Sequence, residues 1–188
     1  MAQVALNVRG KKIGLRNWEH GILYDRLTIT STTTNLKFFQ TPVGGTKTYL
    51  YTNLSQAGQL SKGERMIVEA IRFDLVSAVT LADAKLITDG AYFEFWVSTR
   101  QILQAPIRYF PAGTGLSGAH ATTATATTLS NVSLGSPDRT AITKLKVPIE
   151  ITEIENFRVE LFIPTALSGL SASTDIYCVL EGMRARPL

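Results

Sequence analysis

Few residues in this chain are of a type that could do chemistry. Cysteine occurs once, at Cys178, and histidine twice, at His20 and His120. That is too little for a zinc site, and it leaves Cys178 without an intrachain disulfide partner. Cys178 alternates with Ile176 and Leu180, which predicts a buried small hydrophobe and not a reactive thiol. A nucleophile–base pair needs a histidine that a third group orients. His20 lies in Trp18-Glu19-His20-Gly21 beside an expected turn, and His120 in a long stretch of small residues. Both are expected to be exposed or hydrogen-bonded loop histidines.

The carboxylates lack the spacing that acid–base work requires. Glu150, Glu153 and Glu155 cluster around Pro148 near a strand entry, not at matched positions along one strand. Glu94 is followed by Trp96 and Ser98, and Glu69 by Ile71 and Phe73. Gly113, Gly115 and Gly118 match the dinucleotide fingerprint with Asp138 downstream, but Thr-rich sequence follows where a helix N-terminus would have to hold a pyrophosphate. In Gly44-Gly45-Thr46-Lys47-Thr48, threonines Thr41 and Thr46 stand where a phosphate-binding loop carries glycine. The chain is therefore read as having no catalytic, cofactor or metal site, and as not an enzyme. One ligand-capable constellation is left: Tyr92, Glu94 and Trp96, alternate residues of one expected strand. Two rings flanking a carboxylate suit a sugar, and the same stripe suits packing within or between subunits.

The elements that would carry these residues follow a period of two. Ile22 to Thr30 and Lys47 to Asn53 read as strands, and Glu64 to Val79 as a long one. The long strand has Ile67, Ile71, Phe73 and Leu75 on one face and Val68, Ala70 and Val76 on the other, so it is expected to be buried on both sides or to carry a bulge near Ala70. From Ala91 to Leu103, Phe93, Phe95 and Val97 oppose Tyr92, Glu94, Trp96 and Ser98. Phe157, Val159, Leu161 and Ile163 alternate with Arg158, Glu160 and Phe162. Each resembles half of a sandwich wall. Helical periodicity is confined to Leu81 to Ile87, one or two turns with Asp83 and Lys85 exposed and Asp89-Gly90 closing them. The βαβ units of nucleotide-binding enzymes are not expected.

With 188 residues, 45% of them hydrophobic, the chain can bury roughly 70% of its unfolded surface in one core. No apolar run reaches the length of about 18 residues that a spanning helix needs. Met1 to Arg9 lacks the layout of a secretory signal, so either a cytosolic protein or one assembled in the cytosol is expected, and Asn131-Val132-Ser133 is not read as a glycosylation acceptor. Pro111 to Pro137 is mainly Gly, Ser, Ala and Thr with hardly a charge or large side chain, a loop at one tip of the fold whose Thr-rich middle could add a hairpin. The net charge of +4 is concentrated at the ends, in Arg9, Lys11, Lys12 and Arg16, and in Arg184 and Arg186. Those six are either solvated tails or contacts to nucleic acid or anionic lipid.

Tyr49 to Leu75 contains Thr52-Asn53-Leu54, Gly58-Gln59-Leu60 and a Gly63 to Leu75 strand, and Ile176 to Arg184 contains Leu180-Glu181-Gly182. These stretches resemble the single jelly-roll capsid proteins of tailless icosahedral, often membrane-containing, double-stranded DNA phages. The resemblance implies an all-β single jelly-roll sandwich, two packed antiparallel sheets of about four strands each with at most one or two short helices. It divides the chain into an N-terminal arm (1–20), a jelly-roll domain (21–184, with the loop 111–137) and a tail (185–188). It implies a structural subunit of a virion, assembled in the host cytoplasm, whose partners are copies of itself, a second capsid protein, and the genome or an internal membrane met through the basic termini. The alternative is a receptor- or carbohydrate-binding module, such as a fibre or spike head, using Tyr92, Glu94 and Trp96 or the 111–137 loop.

Overall fold

A computed structural model describes residues 5–8, 11–14, 18–76, 79–111, 117–121, 129–133, 138 and 142–185. A short hairpin comes first, β1 (Ala5–Val8) with β2 (Lys11–Gly14). Next are β3 (Trp18–Ile29), β4 (Asn35–Phe38) and β5 (Arg65–Leu75). The helix α1 (Leu81–Gly90) leads into the hairpin β6 (Tyr92–Val97) and β7 (Arg100–Pro106). A second small hairpin, β8 (Ser117–Ala121) with β9 (Leu129–Ser133), lies in the Thr-rich region. The last strands are β10 (Lys144–Ile151), β11 (Phe157–Phe162) and β12 (Thr174–Ala185).

Eight of these strands form two antiparallel four-stranded sheets, β10-β5-β12-β3 and β4-β11-β6-β7. The pairing is nested: β3 with β12, β4 with β11, β5 with β10, β6 with β7. The chain switches sheets at every connection except the β6–β7 hairpin. Alternation supplies the wall that each sheet turns inward. Leu23, Ile71, Phe73, Ile176, Cys178 and Leu180 from one sheet meet Phe38, Phe93, Phe95, Val159 and Leu161 from the other in one buried core. Phe73 bridges the layers, its ring centroid 4.8 Å from Phe93 and 6.2 Å from Phe38. The molecule is an all-β sandwich with one α-helix among the described residues.

The bulge in β5 lies at Glu69, because Glu181 of β12 opposes Ala70 while its neighbour Gly182 opposes Val68. The extra residue inverts the strand's phase. Met66 and Val68 face the core before it, and Ile71 and Phe73 after it. Ile67 therefore does not share the face of Ile71 as the uninterrupted alternation predicts, and both faces of β5 are buried. Gly182 faces the bulge, where a Cβ would lie 2.0 Å from the Ile67 carbonyl oxygen.

Two sequence expectations are corrected. Lys47 to Asn53 is not a strand. It makes the isolated bridges Gly44–Lys47 and Asp25–Thr52 and runs irregularly along the outer edge of β3, with Arg26 N–H donating to Tyr51 O at 2.8 Å. The Asn53 amide stands in for a strand there, accepting from Tyr24 N–H at 3.0 Å and donating to Ile22 O at 2.7 Å. Asp83 is buried, not exposed: Thr80 caps α1 by accepting from Asp83 N–H, and the Asp83 carboxylate accepts from Ser171 N–H at 3.0 Å and from the Ser171 hydroxyl. This ties the β11–β12 connection to the helix start. Burial alone would raise the Asp83 pKa, but the Ser171 and Thr80 hydrogen bonds outweigh it and hold the carboxyl below its usual range.

The two long edges of the sandwich are finished differently. At the β3/β4 edge, residues 39–60 fold across the opening and drive Leu54 and Leu60 into the core. Gly58, at φ +64°, donates to Phe39 O at 2.7 Å and accepts from Phe157 N–H at 2.8 Å. Beneath them lies Asp25, fully buried, its carboxylate held by the Lys47 ammonium and by Phe39 N–H at 2.7 Å. The segment carrying Thr52-Asn53-Leu54 and Gly58-Gln59-Leu60 is therefore an edge closure. At the β7/β10 edge the strands part: Leu145 to Pro148 of β10 slip out of register with β5.

Candidate functional site

Tyr92, Glu94 and Trp96 share the outward face of β6, opposite the buried Phe93, Phe95 and Val97. The β6–β11 register sets Phe162, Glu160 and Arg158 directly across from them. Tyr92 stacks on Phe162, centroids 5.2 Å apart at 15°. Trp96 Nε1–H donates to Glu94 Oε2 at 2.9 Å, and the Arg158 guanidinium lies over the Trp96 ring, 4.7 Å from its centroid. Gln104 also donates to Glu94, and Arg158 pairs with the buried Glu160. The Glu94 carboxylate and the Trp96 indole N–H, two groups that a sugar would engage, are thus engaged by each other and by Gln104. Sequence reading placed the three residues together. It missed their partners, since β11 is more than sixty residues away in the chain.

The six terminal cations separate into three groups. Arg9, Arg16 and Arg186 lie outside the described residues, and Lys11 and Lys12 are the first two residues of β2. Arg184 is not a surface cation. It continues the inward alternation of Ile176, Cys178, Leu180 and Gly182, is 4% exposed, and pairs with Glu64 at 2.8 Å. Its guanidinium is thus buried against Glu64 and is not displayed on the surface. The signal was in the sequence: the alternation that buries Cys178 reaches Arg184 without a break.

Cys178 is fully buried, and burial, with the Asp25 charge beside it, pushes its thiol pKa well up, which suppresses thiolate chemistry. His20 belongs to β3 and not to a loop; it is exposed, with Nε2 3.7 Å from Glu181 Oε1. His120 lies in β8. Glu153 accepts from Gly63 N–H, while Glu155 takes Thr152 N–H at 3.3 Å and the Ser98 hydroxyl at 3.2 Å. These acids close turns. Among the described residues no group of three or more His, Cys, Asp or Glu side chains is placed to hold a metal ion, and no helix is long and apolar enough to cross a membrane.

Two apolar features went unread in the sequence. Tyr49 and Leu50 are 71% and 63% exposed at the tip of the segment along β3. The tip is fastened from below: the Tyr24 hydroxyl donates to Tyr49 O, the Tyr177 hydroxyl to Leu50 O at 2.6 Å, and Tyr51 lies against Arg26 with 4.9 Å between guanidinium carbon and ring centroid. Arg26 is itself paired with Asp175. On the other edge, Ile102, Leu103, Leu145, Val147 and Ile149 line a cleft of about 450 Å³ between β7 and β10, rimmed by Arg100 and Lys146. No family model, no curated protein and no solved structure matches this chain.

Proposed function

We propose that this chain is a capsid subunit, a single jelly roll that self-assembles into an icosahedral shell around a genome. The observation that carries the reading is the nested pairing of β3 with β12, β4 with β11, β5 with β10 and β6 with β7 across two four-stranded sheets. One long hairpin rolled upon itself yields that order, and jelly rolls of eight strands are a recurrent solution for capsid walls and lectins alike. Fold alone does not assign function, so the surfaces must choose between the two. Glu94 and Trp96 bond each other, and Arg158 covers the Trp96 ring, which favours a wall over a sugar site. The exposed Tyr49 and Leu50 and the open β7/β10 cleft are apolar surface of the kind that subunits bury on association. In this reading the partners are further copies, with a second capsid protein and the genome or a membrane at the basic N-terminal region, and the site of action is the virion assembled in the host cytoplasm.

The test is a concentration series of the full chain, followed by light scattering and electron microscopy. Rings, shells or other closed oligomers are expected to grow with concentration. A protein that stays monomeric across salt and concentration and scores on a glycan array, with binding abolished by Trp96→Ala, would replace this reading with the binding module.

A further inference from the structure

We infer that copies of this chain join head to tail, the Tyr49–Leu50 tip of one copy seated in the β7/β10 cleft of the next. The inference rests on the self-assembly reading above and adds the surfaces and symmetry of the contact. A tip that is exposed yet fastened by two tyrosine hydroxyls, by Arg26 N–H and by the Leu50 N–H bond to the Thr48 hydroxyl is preorganised, so little conformational freedom is lost when it docks. Large apolar and aromatic side chains of this kind anchor interfaces when they enter a desolvated pocket. The cleft supplies the complementary lining. Its floor is aliphatic, and Val147 is 62% exposed.

The rim decides the occupant. Arg100 and Lys146 flank the aliphatic floor, and a cation beside an apolar slot suits an aromatic ring face next to an aliphatic side chain. A Tyr-Leu pair presents both. The tip lies along β3 and the cleft along β10, the opposite edges of one sheet, so the two halves of the contact cannot meet within a copy. Such a contact is heterologous, and repetition generates a ring where the rotation closes and an open chain where it does not.

Three chains are needed for the test: the wild type, Leu50→Asp and Val147→Asp. Both substituted side chains are exposed, and circular dichroism establishes that each variant keeps the β-sheet spectrum. Each variant alone is expected to self-associate at least about thirtyfold more weakly than the wild type, the loss typical of a central anchor. An equimolar mixture is expected to form a 1:1 dimer and stop there, because Val147→Asp retains a working tip and Leu50→Asp a working cleft. Light scattering or native mass spectrometry reads this directly. Variants that assemble as the wild type does, or a mixture that stays monomeric, would overturn the head-to-tail contact and leave the capsid reading standing. A wild type that is monomeric under every condition would remove both.

Discussion

Asp25 is the residue on which the closed edge of the sandwich depends. Its carboxylate is fully buried between the Lys47 ammonium and the N–H of Phe39, and Phe39 is a non-glycine residue at φ +64°. Removing one member of a buried pair leaves the other charge uncompensated, so Asp25→Ala should cost about 3–5 kcal/mol in urea denaturation, and Asp25→Asn less, because an acceptor for Phe39 N–H survives. Burial raises the Asp25 pKa despite Lys47 and Phe39. The proton-linked part of its contribution is therefore present below the unfolded pKa and lost as pH rises through the folded value, while the Lys47 and Phe39 bonds hold the ionised form. Asp83, Asp89 and Asp175 behave in the opposite sense. Lys85, with Arg108, lowers Asp89; burial would raise Asp175, but Thr28 and Arg26 outweigh it. The stability these three supply is present above the unfolded carboxylate pKa, about 3.9 for aspartate, and is lost as pH falls through their folded values. Asp83→Asn is expected to weaken the protein at neutral pH and to flatten the acid limb of a denaturation-midpoint profile. Gly182→Ala meets the Ile67 carbonyl at 2.0 Å, and a loss of about 3 kcal/mol, the upper range for overpacking, is expected in thermal unfolding.

At the scale of elements, the small hairpins and the sandwich strands are built on different terms. β8 and β9 pair with each other and with no other described strand, whereas every sandwich strand shares both a ladder and the core. Shortening the chain between Ala119 and Ser133 is therefore expected to leave the fold intact, since loop-length changes cost little entropy. The check is an unchanged near-ultraviolet spectrum and cooperative unfolding. The helix α1 depends on its start. Thr80→Ala removes the cap to Asp83 N–H and should lower stability by about 1 kcal/mol.

For the whole molecule, the asymmetry of the edges is the organising fact. One edge is sealed by residues 39–60 and projects Tyr49 and Leu50; the other parts into an apolar cleft. In the proposed head-to-tail contact these two unequal edges are the two halves of one heterologous interface. If the basic N-terminal region adds contacts to nucleic acid or anionic lipid, removal of the residues before Asn17 should leave folding unchanged and abolish assembly. The salt dependence of any nucleic-acid binding that remains should become shallower in proportion to the cations lost. Sedimentation of full-length and shortened chains, with and without nucleic acid, measures both effects.

The period of two, written into Phe93-Phe95-Val97, Phe157-Val159-Leu161 and Ile176-Cys178-Leu180, determined on its own that the fold is β and which faces are buried, because side chains on a strand alternate whatever the strand pairs with. It also carried the bulge near Ala70 and the Tyr92–Glu94–Trp96 stripe. Lys47 to Asn53 misled because its β-prone residues pair irregularly with an edge that only the folded β3 creates. Asp83 and Arg184 misled because charge argues for exposure until Ser171 and Glu64 are brought beside them. Strand order, the two unequal edges and the facing of Trp96 by Arg158 depend on contacts between residues distant in the chain. Local patterning carries no information about those partners, so only the tertiary structure decided them.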